Sequence, residues 1–468
     1  MRRVVILLIT FALLSSCLPI VRLFQTEVKA LNAYPVHNLD TGLNYTTIQE
    51  AIDANETLSG HMIFVEQGNY SHVVVNKGIT LVGEKAAGTI VDGFSGRSWY
   101  TISILVQNTS DVCISGFTFV NGYEGGIEVQ NSHNITFSGN LVYHNFWDGI
   151  RVLRSSEVKI VQNNIYQNEW GITVFDSNSI CIIGNNVSSN WYGVGLHHSQ
   201  YSNLTGNLIA NNRANGVSLF HSRYSAFRNN NLTNNVNEFD IGGYDGYPPN
   251  DYEQDIDNSN LINGKPMYYW VSKRNQEIPS DAGCVVLVDC ENIAVRNLAL
   301  TNQTNGIWLI CTTYSTIENV TASNNNCGIR FQDCYFYVFW EGHNTIVNST
   351  ITNNHIGVVL SNSGNNTFYH NNFIDNDVNV QVSGNPSLWD NGYPSGGNFW
   401  SDYNGTDINL DSIGDSPYVI EANNTDHYPL MTPYILPEFP SFLILPLFAI
   451  TTLLAVTVYR RKARIQNK

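Results

Sequence analysis

A chain of 468 residues with 23 basic and 39 acidic side chains carries a formal net charge of −16, which repels phosphate backbones and excludes nucleic acid as a natural partner. Charged residues make up only 13%, so uncharged polar groups must carry the surface, and cations or neutral glycans suit it better. Length alone does not set the number of domains, because a stacked repeat absorbs it as one unit.

Met1-Arg2-Arg3 followed by the apolar residues 4–14 reads as a secretory signal, placed within residues 1–30 with small-residue cleavage chemistry at Val28-Lys29-Ala30. Leu14-Ser15-Ser16-Cys17 also resembles a lipoprotein processing box, although the residues after Cys17 stay apolar. Residues 31–115 are expected to form an N-terminal cap and the first coils. Tyr45 to Ile52 has the spacing of one short amphipathic helix. Short apolar runs such as Ile63-Phe64-Val65, Val73-Val74-Val75 and Ile79-Thr80-Leu81-Val82-Gly83 follow as strands between turn residues.

Residues 116–384 carry the repeat. Glycine precedes an aliphatic residue at Gly126-Ile127, Gly149-Ile150, Gly171-Ile172, Gly193-Val194 and Gly216-Val217, a step of about 22 residues. Positions one and three after each glycine are aliphatic, and period-two alternation places both on one inward face. Two asparagine columns accompany them: Asn140, Asn163, Asn185, Asn207 and Asn230, then Asn145, Asn168, Asn190, Asn212 and Asn235. Stacked coils sit ~4.8 Å apart, so such amides can hydrogen-bond along the stack, in turns that tolerate left-handed backbone. No helical period fits inside a coil this short, and three strands per coil predict a parallel β-helix.

The repeat lapses across residues 242–282, where Gly243-Tyr244-Asp245-Gly246 reads as a loop and Ile262-Asn263-Gly264-Lys265-Pro266 as a hairpin-like excursion. It resumes at Gly306-Ile307, Gly328-Ile329 and Gly357-Val358, the last interval lengthened by aromatic residues 335–340. Residues 385–433 turn rich in Trp, Tyr, Gly and Asp and are expected to cap the stack. In the tail, 437–468, residues 441–459 form an apolar run near the ~20 residues a spanning helix needs. Arg460, Arg461, Lys462 and Arg464 follow and place that end inside. Beyond Cys17 the seven cysteines make a poor disulfide framework and read as small coil hydrophobes, with one Cys284–Cys290 or Cys311–Cys334 bridge as the alternative.

Several of these segments resemble the NosD-like β-helix proteins, whose repeats are also described as carbohydrate-binding and sugar-hydrolysis coils. The resemblance covers roughly residues 45–433 and is carried by Thr47-Ile48-Gln49-Glu50-Ala51-Ile52, Gly68-Asn69-Tyr70, Asn263-Gly264-Lys265-Pro266-Met267-Tyr268-Tyr269, Ile278-Pro279-Ser280-Asp281-Ala282-Gly283 and Gly396-Gly397-Asn398-Phe399-Trp400-Ser401-Asp402-Tyr403. It implies an all-β, single-stranded, right-handed parallel β-helix of the pectin-lyase-like kind, and little about activity. Pro437-Glu438-Phe439-Pro440 with the apolar run and basic end resembles an archaeal Pro-Glu-Phe sorting anchor.

Aromatic residues gather before the glycines: Tyr123, Phe146, Trp147, Trp170, Trp191 and Tyr192, with Glu124, Asp148 and Glu169 beside them. Flat rings at regular spacing stack sugar faces or stack on one another. Carboxylates on adjacent coils have the ~5 Å separation that retaining glycoside hydrolysis uses, which makes Asp148, Glu169 and Asp176 the catalytic candidates. Five residues after each glycine, Asn131, Arg154, Asp176, His198 and His221 form a polar turn column, read as a solvated ladder or a proton-transfer array. Glu128 and Arg151 read as an outward cross-coil pair.

Asp407, Asn409, Asp411 and Asp415 alternate as oxygen ligands do in calcium loops, although Ser412 stands at the turn glycine and Tyr418 at the closing Glu. An Asp-rich turn bonding its own backbone is the plainer alternative. Copper needs clustered His, Met or Cys, and His197-His198 with His221 is the nearest approach. The fourteen Asn-x-Ser/Thr sequons are compatible with a glycoprotein, though an Asn/Thr-rich repeat generates such triplets by itself. The expectation is a surface β-helix, membrane-attached through its tail, binding a glycan at Tyr123, Glu124, Trp147, Trp170, Trp191 and Tyr192. A polysaccharide lyase or glycoside hydrolase is the alternative, and a structural or copper-accessory envelope protein the third.

Overall fold

The computed structural model describes residues 33–94, 101–242, 249–332, 342–421 and 423–435. The expected leader, Cys17, Cys334, the aromatic residues 335–340 and the tail 437–468 lie outside the described residues, as does the loop 243–248. Among the described residues no helix is long and apolar enough to cross a membrane.

The chain is an all-β, right-handed parallel solenoid of about 14 turns. A coil has three strands, as in Gly125–Gln130, His133–Ser138 and Leu141–Tyr143, each pairing in parallel with its counterpart in the next coil. In the sheet that follows the repeat glycines, Ile127, Ile150, Ile172, Val194, Val217 and Phe239 lie in register. All six are buried in one core. The helix Ile48–Asp53 closes the first coils, with a capping box between Thr47 and Glu50 and with Ile48, Ala51 and Ile52 buried.

Close approach explains the repeated glycine. A Cβ on Gly171 would lie 2.6 Å from the carbonyl oxygen of Gly193, and one on Gly149 would lie 2.6 Å from that of Gly171. The asparagine columns are two buried amide ladders. In one, the Nδ2 of Asn145, Asn168, Asn190 and Asn212 donates to the Oδ1 of the next asparagine at 3.0, 3.0, 3.3 and 2.8 Å. Left-handed backbone falls on the residues just before these asparagines, His144, Gln167, Ser189 and Asn211, and not on the ladder residues themselves.

Residues 242–282 are more than an excursion. Leu261–Ile262 pairs antiparallel with Lys265–Val271 across a tight turn in which Asn263 and Gly264 have φ of 49° and 82°, the two positive values a primed hairpin turn requires. From there the strands Cys284–Val288, Asn305–Ile310, Cys327–Gln332, Ile356–Ser361 and Val378–Ser383 continue the same 15-stranded sheet in parallel. The core changes sides here. Met267, Tyr269, Val286, Val288, Trp308 and Ile310 pack into the first core, whereas Tyr268, Val285, Leu287, Ile307 and Leu309 belong to a second. The repeat therefore does not simply resume; a second stack lies against the first, and the shared sheet closes an end that would otherwise expose core and strand edge.

At the far end Trp389 stacks on Phe368 and Trp400 on Phe373, both at 4.2 Å. Asp426 accepts from the Trp400 indole at 3.0 Å and from the Asn398 amide at 2.7 Å. The described cysteines Cys113, Cys181, Cys284, Cys290 and Cys327 are free, which removes the Cys284–Cys290 bridge. Burial pushes the Cys284 and Cys327 thiols up to about 12 and the Cys290 thiol up to about 11. Cys311 is disulfide-bonded.

Candidate functional site

The aromatic residues gathered before the glycines do not form one column. Two rules separate them: the residue directly after the ladder position of each coil projects from the turn, whereas the residue directly before the glycine starts the strand. Tyr123, Phe146, Glu169, Trp191 and Arg213 hold the first position. Asp148, Trp170 and Tyr192 hold the second, in register with Gly125.

The first set lines an open groove of about 820 Å³ that crosses successive coils. Phe146 is 59% and Trp191 44% exposed, so both rings are open to solvent. Tyr123 stacks flat on Phe146 at 4.8 Å and 5°, which braces that ring. Asn121, His144, Gln167 and Ser189, held outward by their left-handed backbone, form the facing wall. Phe146 was legible as an aromatic neighbour, but Arg213 was missed; its signal is that it follows the ladder residue Asn212.

The second set behaves differently. Trp170 and Tyr192 stack on each other at 4.0 Å on the outer flank of the glycine sheet, and neither lines the groove. Trp147 meets Phe146 edge-on at 5.5 Å and 85° and is itself exposed. Glu124, expected beside the sugar-binding rings, instead turns to Arg151 at 3.4 Å.

That arginine is the hub of a second feature. Glu128 bonds it through both Nε and Nη2, and Asp148 lies 3.6 Å from Nη1. Three carboxylates thus converge on one guanidinium. The expected Glu128–Arg151 pair forms, yet it is no solvent-facing bridge: Glu128 is 1% exposed and Asp148 6%. Burial raises the Asp148 carboxyl to about 6, against the hydroxyl of Thr173, which donates to it at 2.6 Å, and the pull of Arg151.

The three catalytic candidates occupy three places: Asp148 in this cluster, Glu169 in the groove, and Asp176 in the left-handed turn column at the other end of the glycine strand. In that column His198 and His221 stack at 5.0 Å, and His221 reaches Asp251 at 2.9 Å. In the C-terminal cap the alternating oxygens of residues 407–415 turn to backbone. Asp407 accepts from the amides of Asp411 and Ser412, Asp411 from Ile413, and Asp415 from Ile408, at 2.7 to 3.1 Å. Among the described residues no group of three or more His, Cys, Asp and Glu is arranged to hold a metal ion.

Residues 267–405 match the family described as periplasmic copper-binding protein (NosD), and residues 103–247 match right handed beta helix region. A cell surface glycoprotein of Methanothermus fervidus is 39% identical over 77 residues, 16% of this chain and 12% of that protein; the match spans about an eighth of the curated relative's length. Among solved structures, the mannuronan C-5 epimerase AlgE4 A-module of Azotobacter vinelandii is similar at 12% identity and a TM-score of 0.32, covering 72% of this chain and 93% of that one. The catalytic domain of a GH87 α-1,3-glucanase is similar at 14% identity and a TM-score of 0.36, covering 72% and 67%. Likenesses this weak say nothing of what this chain does.

Proposed function

We propose that this chain, a NosD-like right-handed parallel β-helix, is an extracytoplasmic surface protein that binds glycan in the groove lined by Tyr123, Phe146, Glu169, Trp191 and Arg213. One observation carries the reading: Phe146 and Trp191 are open to solvent along the groove, whereas Trp170 and Tyr192, one position further along their coils, are used up in stacking on each other. Rings held by a rigid scaffold lose little entropy on binding and match the apolar faces of sugars. The matched surface glycoprotein and the periplasmic family support the location. Attachment through the tail belongs to the same proposal. A glycan array probed with the wild type and with Phe146→Ala/Trp191→Ala tests it; equal binding by both proteins refutes it.

A second reading rests on Asp148. Gathered with Glu124 and Glu128 around Arg151 and raised to about 6 by burial, its carboxyl holds a proton to higher pH than an ordinary carboxylate, as a general acid in glycoside cleavage must. Incubation with neutral glycans and polyuronates, without new reducing or unsaturated ends, removes this reading and leaves binding intact.

A further inference from the structure

We infer that the C-terminal cap rests on a lipid bilayer and that the loop of residues 406–414 dips Ile408 and Leu410 into it. This rests on the attachment through the tail proposed above and adds a second contact, made by the folded body itself.

The loop is inverted with respect to an ordinary surface turn. Its carboxylates serve its own backbone: Asp407 accepts from the amides of Asp411 and Ser412, Asp411 from that of Ile413, and Asp415 from that of Ile408, at 2.7 to 3.1 Å. Its two large apolar side chains are left outside, Ile408 82% and Leu410 84% exposed. Leu410 also has φ of 63°, a left-handed conformation that a side chain of this size avoids. So exposed a leucine adds little to the chain's own core. Water favours neither feature. A bilayer favours both, because the apolar side chains leave water and because backbone N–H groups entering the headgroup boundary need partners from within the chain.

The loop's place in the fold brings a bilayer within reach. Ser412 accepts from the amide of Met431 at 3.1 Å, and Gly414 donates to Pro429 at 2.8 Å, which ties the loop to the last described segment. That segment ends at Ile435, 80% exposed, six positions before the apolar run 441–459. An extended chain spans at most ~3.5 Å per residue, so a run lying in a bilayer keeps Ile435 within about 20 Å of it.

The lipid surface is zwitterionic rather than anionic, since Asp407, Asp411 and Asp415 leave the loop acidic. The N-terminal cap stands clear of it, because the 15-stranded sheet alone extends about 67 Å at ~4.8 Å per strand.

The test places the full-length protein in phosphatidylcholine nanodiscs, with plain or brominated acyl chains, and reads the quenching of tryptophan emission. Ile408→Trp and Leu410→Trp are each expected to lose at least half of the emission they add over the wild type when bromine is present. Leu58→Trp, at a site 61% exposed in the N-terminal cap, is expected to lose none. All three positions are exposed, so the substitutions leave the packing alone. Unquenched emission from positions 408 and 410, in a protein that co-purifies with the nanodiscs, overturns the loop contact and leaves attachment through the tail standing. Equal quenching at position 58 overturns the loop contact as well. A wild type that does not co-purify with nanodiscs overturns the attachment and the loop contact together.

Discussion

Asn235, the last asparagine of its ladder, donates from Nδ2 to Glu238 Oε2 at 2.5 Å and from its backbone amide to Oε1 at 3.2 Å. Each earlier rung hands both N–H groups to the next amide oxygen; here a carboxylate takes the place of the missing rung. The ladder reaching Asn371 and Asn398 ends likewise, on Asp426. Glu238→Ala should therefore orphan two buried donors and lower stability by ~2 kcal/mol, with Glu238→Gln milder because one acceptor oxygen remains. Asn190→Ala in mid-ladder should cost at least as much. Urea midpoints at fixed pH check the order.

Gly171→Ala tests the close approach of coils. Its new methyl would stand 2.6 Å from the Gly193 carbonyl oxygen and closer still to Val187, so the coils must part. A loss of ~2 kcal/mol or more is expected, whereas Gly206→Ala, with open space around it but φ of 66°, should cost about 1 kcal/mol. Thermal midpoints of the two variants separate crowding from backbone strain.

Asp148 gives stability a definite slope with pH. Its folded carboxyl titrates near 6 against an ordinary 3.8, so between those values the folded state holds the extra proton, and stability falls as pH rises through that window. At 1.36 kcal/mol per unit the contribution lost is about 3 kcal/mol. Asp148→Asn keeps an oxygen for Thr173 and two carboxylates for Arg151, and should flatten this part of the profile. Its Tm should exceed the wild type's at pH 8 and match it near pH 4. A Tm that is no higher at pH 8 would show that the charge of Asp148 is needed where it lies.

Gly264→Val tests the reversal of the sheet. A β-branched residue at φ of 82° should cost ~2 kcal/mol or more. Because the second stack covers apolar residues of the first, the variant should also bind more of a hydrophobic dye at temperatures where the wild type binds little. Destabilisation without added dye binding would place the damage in the turn alone.

The columns of the first stack were legible because identical coils put identical demands on each position: a small residue under the next carbonyl, an amide at the ladder, an aliphatic inside. The reversal was harder to read, since a hairpin and an insertion look alike when only turn residues mark them. One signal was available: Cys284-Val285-Val286-Leu287-Val288 is apolar at every position, the pattern of a strand covered on both faces. The site was split for a simpler reason. Counting from the glycine merges residues that belong to different positions, because the turns between ladder residue and glycine vary in length: Phe146-Trp147-Asp148 in one coil, Trp191-Tyr192 in another. Nor could the burial of Glu128 be inferred from strand alternation, which tells which way a side chain points and not what lies over it.

The hairpin at Asn263-Gly264 also bears on chirality. The hand of a coil is fixed by three directions: the run of the strand, the normal pointing out of the core, and the advance from one coil to the next. At this turn the strand reverses and the core moves to the opposite face, while the sheet goes on adding strands in the same sense. Two of the three directions change sign, so their product does not. A polypeptide can in this way step sideways into a neighbouring barrel without ever winding left-handed, and the residue pair that allows it is only two positions long.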